Sequence, residues 1–350
     1  MPTAARATGL RLWLALGVIY VIWGSTYFGI AIAIKTVPPF FMAAIRFVIA
    51  GAALVAWDLV RSPEARHWPS RRQLLDSVIV GGLLLAVGNG FVALGERTVP
   101  SGIAAILIGM MPVWFVVLGW LYFRERPGPI VGLGIVVGFA GVAALVWPTG
   151  TGANHFDAFG LVVLLLAPLG WAHGSLYAAR KAHLPHRPLI ASGLQMLAAS
   201  VLLLVEGFLI GEGGTFDPSA ISPESILAIL YLAAFGSMLA YTTYGWLLRH
   251  APLSLIGTYA YVNPVVAVGL GTLFLAEPIS LRTLVSSAVI IGAVAMIVTA
   301  RGRVSRAEAT PSEEAGADPA TTADELGLRR GVVTAASVNP LSTTPRAPSG

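Results

Sequence analysis

From about Leu12 to Ala300 the chain is a succession of apolar stretches, each long enough to cross a bilayer and parted by short connections. Leu12–Ile34, Ser77–Gly95, Thr98–Phe123 and Ala251–Ala276 contain no charged residue at all. A run of roughly 18 or more apolar residues can span a membrane as a helix. Only 11% of residues are charged, against about 25% in soluble domains, so little chain is left for a water-soluble domain. The absence of cysteine excludes disulfides, Cys-ligated zinc and redox thiols.

The periodicity predicts an all-α integral membrane protein with ten transmembrane helices, over 12–34, 40–60, 74–95, 99–121, 129–147, 158–179, 189–210, 226–248, 253–275 and 282–300. Proline in or beside the connections (Pro38, Pro39, Pro100, Pro127, Pro148, Pro185, Pro188, Pro223, Pro252, Pro278) supports these limits. Arg6 and Arg11 before an apolar run resemble a secretory leader, but the run is longer than a usual leader core of about 7–15 residues and more spans follow; it reads as an uncleaved first helix. Fifteen Lys and Arg residues fall on the side of the N-terminus, against Lys35, Arg97 and Arg282 on the other. Basic loops stay inside. A multi-pass protein of the cytoplasmic membrane with both termini cytoplasmic is expected. The net charge of +5 therefore sets topology and implies no nucleic-acid partner.

Displaced by 152 residues, the chain matches itself: Arg97 falls on Arg249, Pro100 on Pro252, Pro112 on Pro264, Gly119 on Gly271 and Glu125 on Glu277. A slightly smaller displacement brings Gly24, Ser25 and Tyr27 onto Gly174, Ser175 and Tyr177, and Arg46 onto Gln195. This predicts two five-helix repeats, 12–150 and 157–300. Five is odd, so the second repeat enters the membrane inverted, an arrangement common in alternating-access transporters. Residues 301–350, rich in Ala, Thr, Ser, Pro and Glu, read as a disordered cytoplasmic tail.

Trp23-Gly24-Ser25-Thr26-Tyr27-Phe28, Arg46-Phe47, Leu85-Ala86-Val87-Gly88-Asn89-Gly90, Val99-Pro100-Ser101-Gly102 and Ala260-Tyr261-Val262-Asn263-Pro264 resemble the EamA family of the drug/metabolite transporter superfamily, and most nearly its YedA-like branch of bacterial inner-membrane exporters. The resemblance covers both repeats. It implies ten helices, efflux of amino acids, related metabolites or toxic compounds, and a cavity between helices 1, 3, 4, 6, 8 and 9. Glu125-Arg126 follows the family pattern after the fourth span; Glu277-Pro278 departs from it after the ninth.

Polar residues inside spans are site candidates by default. Asn89 offers a donor and an acceptor together, for a polar solute or for bonding between helices. Trp23, Tyr27, Trp171, Tyr241, Tyr259, Tyr261 and Asn263 provide an aromatic wall with polar tips, suited to amphipathic solutes; packing and interfacial belts are the alternative. Trp114 reads as packing and Trp246 as belt. His173 could carry a proton for coupled transport, or simply bond a neighbouring helix. Arg46 and Glu206 are charges within spans, either substrate-facing, paired with one another, or structural. Asp58 and Asp76, at span ends, are expected to reach water. Pro112 and Pro264, matched by the repeat, form a candidate pair of gate hinges. Gly134 and Gly138 have the spacing for close helix packing.

A secondary exporter fits these features. No phosphate-binding loop or nucleotide domain is present, so no ATPase subunit is implied; the expected partners are a small-molecule solute, membrane lipid and, for coupling, a proton. Neither a cofactor nor a metal is indicated, and oligomeric state is open. An intramembrane enzyme would need a nucleophile, metal ligands or paired acids, and a channel would need charged rings; neither pattern appears.

Overall fold

Pro39, Pro129, Pro188 and Pro223 each open a helix, where a fixed φ fits and the missing N–H leaves no bond unmade. Ser70 and Gln73 close a reciprocal capping box, and Asp157 and Ser222 cap two further helices. In the computed structural model, residues 9–61, 68–147, 157–251 and 253–309 are described. Pro148, Pro252 and the sequence after Ala309 lie outside them.

The helices are α1 (Gly9–Ala33), α2 (Pro39–Arg61), α3 (Arg71–Gly95), α4 (Ser101–Phe123), α5 (Pro129–Val146), α6 (Ala158–Arg180) and α7 (Pro188–Leu209). Then come α8 (Pro223–Tyr231, Leu232–Leu239 and Ala240–His250 in continuity), α9 (Tyr259–Leu275, after a single turn Leu253–Ile256) and α10 (Leu281–Ala309). Eight of these helices are long and apolar enough to cross a membrane; Pro129–Leu145 and Tyr259–Leu275 are shorter apolar helices. Among the described residues the fold is all-helical, that of a multi-pass membrane protein. Its outer surface agrees: Leu121, Val136, Leu209 and Leu273 are all more than 60% exposed, a distribution that lipid tolerates and water does not.

Residues through Ser305 make one compact unit, and Arg306–Gly350 a second, of which only the end of α10 is described. That helix runs past the predicted limit at 300, where Arg, Ala and Glu between Arg301 and Ala309 favour helix.

Packing is pairwise and orderly. α1 lies against α8 and α9; α6 lies against α3 and α4; α2 touches α8 and α7 touches α3; α2 meets α7, and α4 meets α9. Gly134 and Gly138 of α5 face Ile297 and Ala293 of α10. α3 and α8 each contain a π-helical stretch at mid-length, Gly82–Gly90 and Leu232–Leu239. A π turn widens the helix and loosens its backbone ladder, and often marks functional sites. α4 breaks at Gly109–Met110, which puts Pro112 in the first turn after the break and not in a helix interior. Pro264 does lie inside α9. The two helices cross there, with Gly109 against the Ala260 carbonyl and the Pro264 ring.

Polar groups concentrate at the two ends. At one end Arg187 bonds Asp58 at 2.8 Å, Arg180 bonds Glu125 at 2.8 Å, and Asp76 accepts from Tyr177 Oη at 2.7 Å, His183 N at 2.6 Å and Arg72 Nε at 3.2 Å. Asp58 and Asp76 therefore do not reach water as expected; both are buried, because Tyr177 of α6 and the connection from α6 to α7, through His183 and Arg187, supply donors to them. At the other end Glu212 accepts from the backbone N–H of Phe40 and Phe41 at the start of α2, and Glu277 from Ser101 and Gly102 at the start of α4. Carboxylates suit helix N-termini, whose first amides lack partners. The residues that turn the chain back after α4 and α9 are Arg124 (φ 56°) and Ala276 (φ 53°), the non-glycine residues with positive φ among those described.

Candidate functional site

The two π-helical stretches face a common cavity in the middle of the bundle. It holds about 720 Å3 of atom-free space, part of it open to solvent. Its wall takes Trp23, Thr26, Tyr27 and Ile30 from α1, Leu85, Gly88, Asn89 and Val92 from α3, and Ile108 and Met111 from α4. Ala167, Pro168 and Trp171 come from α6, Gly236, Ser237 and Tyr241 from α8, and Tyr259 and Asn263 from α9. All six helices expected to line it do so. Arg46 and Phe47 of α2 and Met196 of α7 also contribute, which the resemblance did not imply.

Four aromatic residues gather on one side. Trp23 meets Trp171 edge to face (6.0 Å between centroids) and Tyr259 in the same manner (5.3 Å), and tilts against Tyr244 (5.1 Å). Trp23 Nε1 donates to the Gly236 carbonyl at 3.2 Å, a carbonyl within the π stretch of α8. Trp171 Nε1 is buried without an acceptor among the described residues. Asn89 Nδ2 reaches the Leu84 carbonyl five residues back at 3.4 Å, a long bond that the wide turn permits. The Asn263 amide, oriented as its neighbours require, donates to the carbonyls of Tyr259 and Tyr20 at 3.2 Å each and so ties α9 to α1. Tyr241 donates to Gln195 Oε1 at 2.7 Å.

Arg46 is the charge on this wall. It is 4% exposed, its Nε donates to Ser237 Oγ at 2.8 Å, and its guanidinium lies 4.9 Å from the centre of the Phe47 ring. No carboxylate of the described residues forms a salt bridge with it. The pairing with Glu206 considered from the sequence is not formed; Glu206 stands near the end of α7 with Oε2 unbonded among the described residues.

Seven of the nine candidate solute-binding residues thus share one wall: Trp23, Tyr27, Asn89, Trp171, Tyr241, Tyr259 and Asn263. His173 and Tyr261 stand outside it. His173 is exposed, with Nδ1 3.4 Å from Tyr122 Oη; Tyr261 packs against the apolar core. Of the two hinge candidates, Pro264 lines a small satellite hollow with Tyr27, Ala105 and Gly109, and Pro112 lines neither. Trp114 packs on Phe139 and Trp246 on His250. The sequence trace of the π-helical stretches is Gly88-Asn89-Gly90 and Gly236-Ser237 inside otherwise apolar spans.

The EamA-like transporter family matches this chain twice, over residues 11–147 and 158–299. The uncharacterized inner membrane transporter YedA of Escherichia coli (strain K12) is 39% identical over 290 residues, 82% of this chain and 90% of that protein. The uncharacterized transporter YvbV of Bacillus subtilis (strain 168) is 26% identical, covering 83% of this chain and 92% of its own. A WAT1-related chloroplastic protein of Arabidopsis thaliana is 27% identical, covering 81% and 69% respectively. A solved crystal structure shares the fold with a TM-score of 0.57 at 21% identity, covering 85% of this chain and 99% of that one. With both matched segments spanning almost all the apolar sequence, the chain belongs to the EamA-like transporter family.

Proposed function

We propose that this transporter is a secondary exporter of amino acids, related small metabolites or toxic organic compounds, working by alternating access between two inverted five-helix repeats with both termini cytoplasmic. The observation that carries the reading is the symmetry of the packing about the cavity. Exchanging the halves turns the α1–α9 contact into α6–α4, α1–α8 into α6–α3, and α2–α8 into α7–α3, while α2–α7 and α4–α9 map onto themselves. The π stretches of α3 and α8 exchange as well, and so do the left-handed residues Arg124 and Ala276. Two packings related in this way are close in energy, which is the requirement for a bistable element. The cavity at the join has aromatic faces, an indole N–H without an acceptor among the described residues, and a buried guanidinium. That combination suits an amphipathic solute bearing a carboxylate. The break in α4 and Pro264 in α9, facing one another, serve as the paired hinge.

The test is counterflow in proteoliposomes with a panel of radiolabelled amino acids and toxic analogues. The wild type should exchange at least one. Asn89→Ala and Trp171→Ala should lower its rate about 10-fold, the loss of a hydrogen bond worth roughly 1–1.5 kcal/mol, with abundance and insertion unchanged. A panel that the wild type does not move sinks the reading. Reporter fusions at Phe216 and at the final glycine should fall on opposite faces of the membrane; the same face would break the inverted geometry.

A further inference from the structure

Beyond the cavity, at the end of the bundle where α3 gives way to α4, lies an acid that the reading above does not use. Glu96 follows directly on the last residue of α3 and is 8% exposed. Neither of its carboxylate oxygens has a hydrogen-bond partner among the described residues, and no Lys or Arg among them forms a salt bridge with it. Glu277, from the connection between α9 and α10, lies close enough to act on it electrostatically. Their surroundings differ sharply. Glu277 accepts from Ser101 N at 2.8 Å, Ser101 Oγ at 2.7 Å and Gly102 N at 3.1 Å, three donors that hold it against the start of α4. Glu96 has none among the described residues and is buried. Of two acids in such unlike surroundings, the buried one without donors is the one suited to hold a proton.

The other groups around Glu96 do not alter that division. Tyr27 of α1, also on the cavity wall, is within electrostatic reach of it. Arg97, next in the chain, is exposed and acts on Glu212 instead. Asp157 at the start of α6 accepts from Thr98 Oγ1 and Gly160 N. Burial, and secondly the charge of Glu277, hold the Glu96 carboxyl well above the usual carboxylate range.

We propose that Glu96 is a proton-binding site whose occupancy keeps the Glu277 clasp closed on the N-terminus of α4, and that this proton is the coupling ion of the transporter. The proposal rests on the transporter reading above and names its ion. A proton passes from a hydronium ion to one Glu96 oxygen, leaving water; no other bond changes. If Glu96 ionised in place, two like charges would face each other without hydration, and the clasp would be destabilised. Once α4 and the α9–α10 connection separate, water reaches Glu96, its ionised form is solvated, and the proton departs. The sign follows: the closed clasp binds the proton more tightly, so low pH favours closure and that advantage fades as pH rises through the elevated value of the closed form. Tyr27 joins this switch to the solute cavity.

The test is infrared spectroscopy of the purified full-length protein in lipid nanodiscs across a pH series. The expected result at neutral pH is a protonated carboxylic C=O band that shifts in D2O, is lost in Glu96→Gln, and moves in frequency in Glu96→Asp. In Glu277→Gln that band should titrate at a pH lower by on the order of one unit, the effect of removing one nearby like charge. Glu206→Gln and His173→Gln should leave it unchanged. No such band at neutral pH, or a band that survives in Glu96→Gln, overturns the proposal. In proteoliposomes, a solute of the amino-acid panel should still exchange through Glu96→Gln but no longer respond to an imposed pH gradient; an unchanged response overturns the coupling role. If the wild type moves no solute of the panel, the transporter reading is what fails, and the proton site is decided by the band alone.

Discussion

Gly81→Ala is expected to be strongly destabilising, although it adds a single methyl group to an apolar helix. Gly81 lies in α3 where that helix presses on α7, and a Cβ placed there would meet the backbone carbonyl oxygen and carbon of Gln195. A side chain in the way could rotate aside; a carbonyl within a helix cannot without breaking its own bond. The helices must separate, and Gln195 would drag with it the bond its side chain accepts from Tyr241 on the cavity wall. Overpacking typically costs about 1–3 kcal/mol and occasionally more, and a rigid backbone obstacle belongs at the upper end. Against a total stability of only about 5–15 kcal/mol, and in a bilayer where close contact between small residues is a main source of helix association, such a loss is severe. Gly269→Ala in α9 is the matched control, because a Cβ there meets nothing within 4 Å; it should be neutral or slightly stabilising, since alanine favours helix. Fluorescence-detected size exclusion and thermal unfolding in detergent would read both. Equal behaviour of the two variants would show that the α3–α7 contact is looser than described.

Much of the helical layout was legible from apolar length and proline punctuation, because in a bilayer the backbone has to satisfy itself and helices are the economical answer. Pro39, Pro129, Pro188 and Pro223 fell at helix starts for a local reason, the missing N–H. The cavity wall was legible too, because polar and aromatic residues within spans are scarce and Asn89, Trp171 and Tyr241 stood out for that reason. The rest depends on tertiary partners, which sequence periodicity does not encode. Asp76 sits near the end of a span, where water was expected, yet donors from Tyr177 and His183 more than a hundred residues away bury it. Nothing in the sequence marks Glu96, at the end of a span, because what sets it apart is the nearby Glu277, 181 residues on. The π turns of α3 and α8 follow from packing about the cavity and leave only a weak trace in glycine and serine. His173 was singled out because histidine is rare within spans, a fact of composition that carries no information on which face of α6 it occupies.

Arg46→Gln is expected to lower transport of carboxylate-bearing solutes by about 10- to 100-fold while leaving the protein folded. A guanidinium only 4% exposed would ordinarily be paired. Here its described partners are the Ser237 hydroxyl and the face of the Phe47 ring, both neutral. Neither satisfies the full set of five N–H donors, and the remainder of the group borders the cavity. A solute carboxylate arriving there would gain charge-assisted hydrogen bonds worth roughly 1.5–3 kcal/mol, which is the origin of the 10- to 100-fold figure at about 1.4 kcal/mol per factor of ten. Glutamine keeps a donor for Ser237 and much of the volume, so the fold loses little; a buried charge without an ionic partner contributes little to stability, and its removal even relieves a desolvation cost. Lysine keeps the charge but not the planar fork, and should retain a fraction of the rate. Uncharged solutes of the same size should be affected far less than carboxylates. The decisive comparison is therefore a ratio, the rate for an amino acid over the rate for its amide, measured by counterflow for wild type, Arg46→Lys and Arg46→Gln. A ratio that falls in that order identifies the guanidinium as the carboxylate anchor. A ratio that stays constant while both rates drop would assign Arg46 instead to holding α2 against the π stretch of α8, through Ser237, and the solute's charge would have to be met elsewhere on the wall.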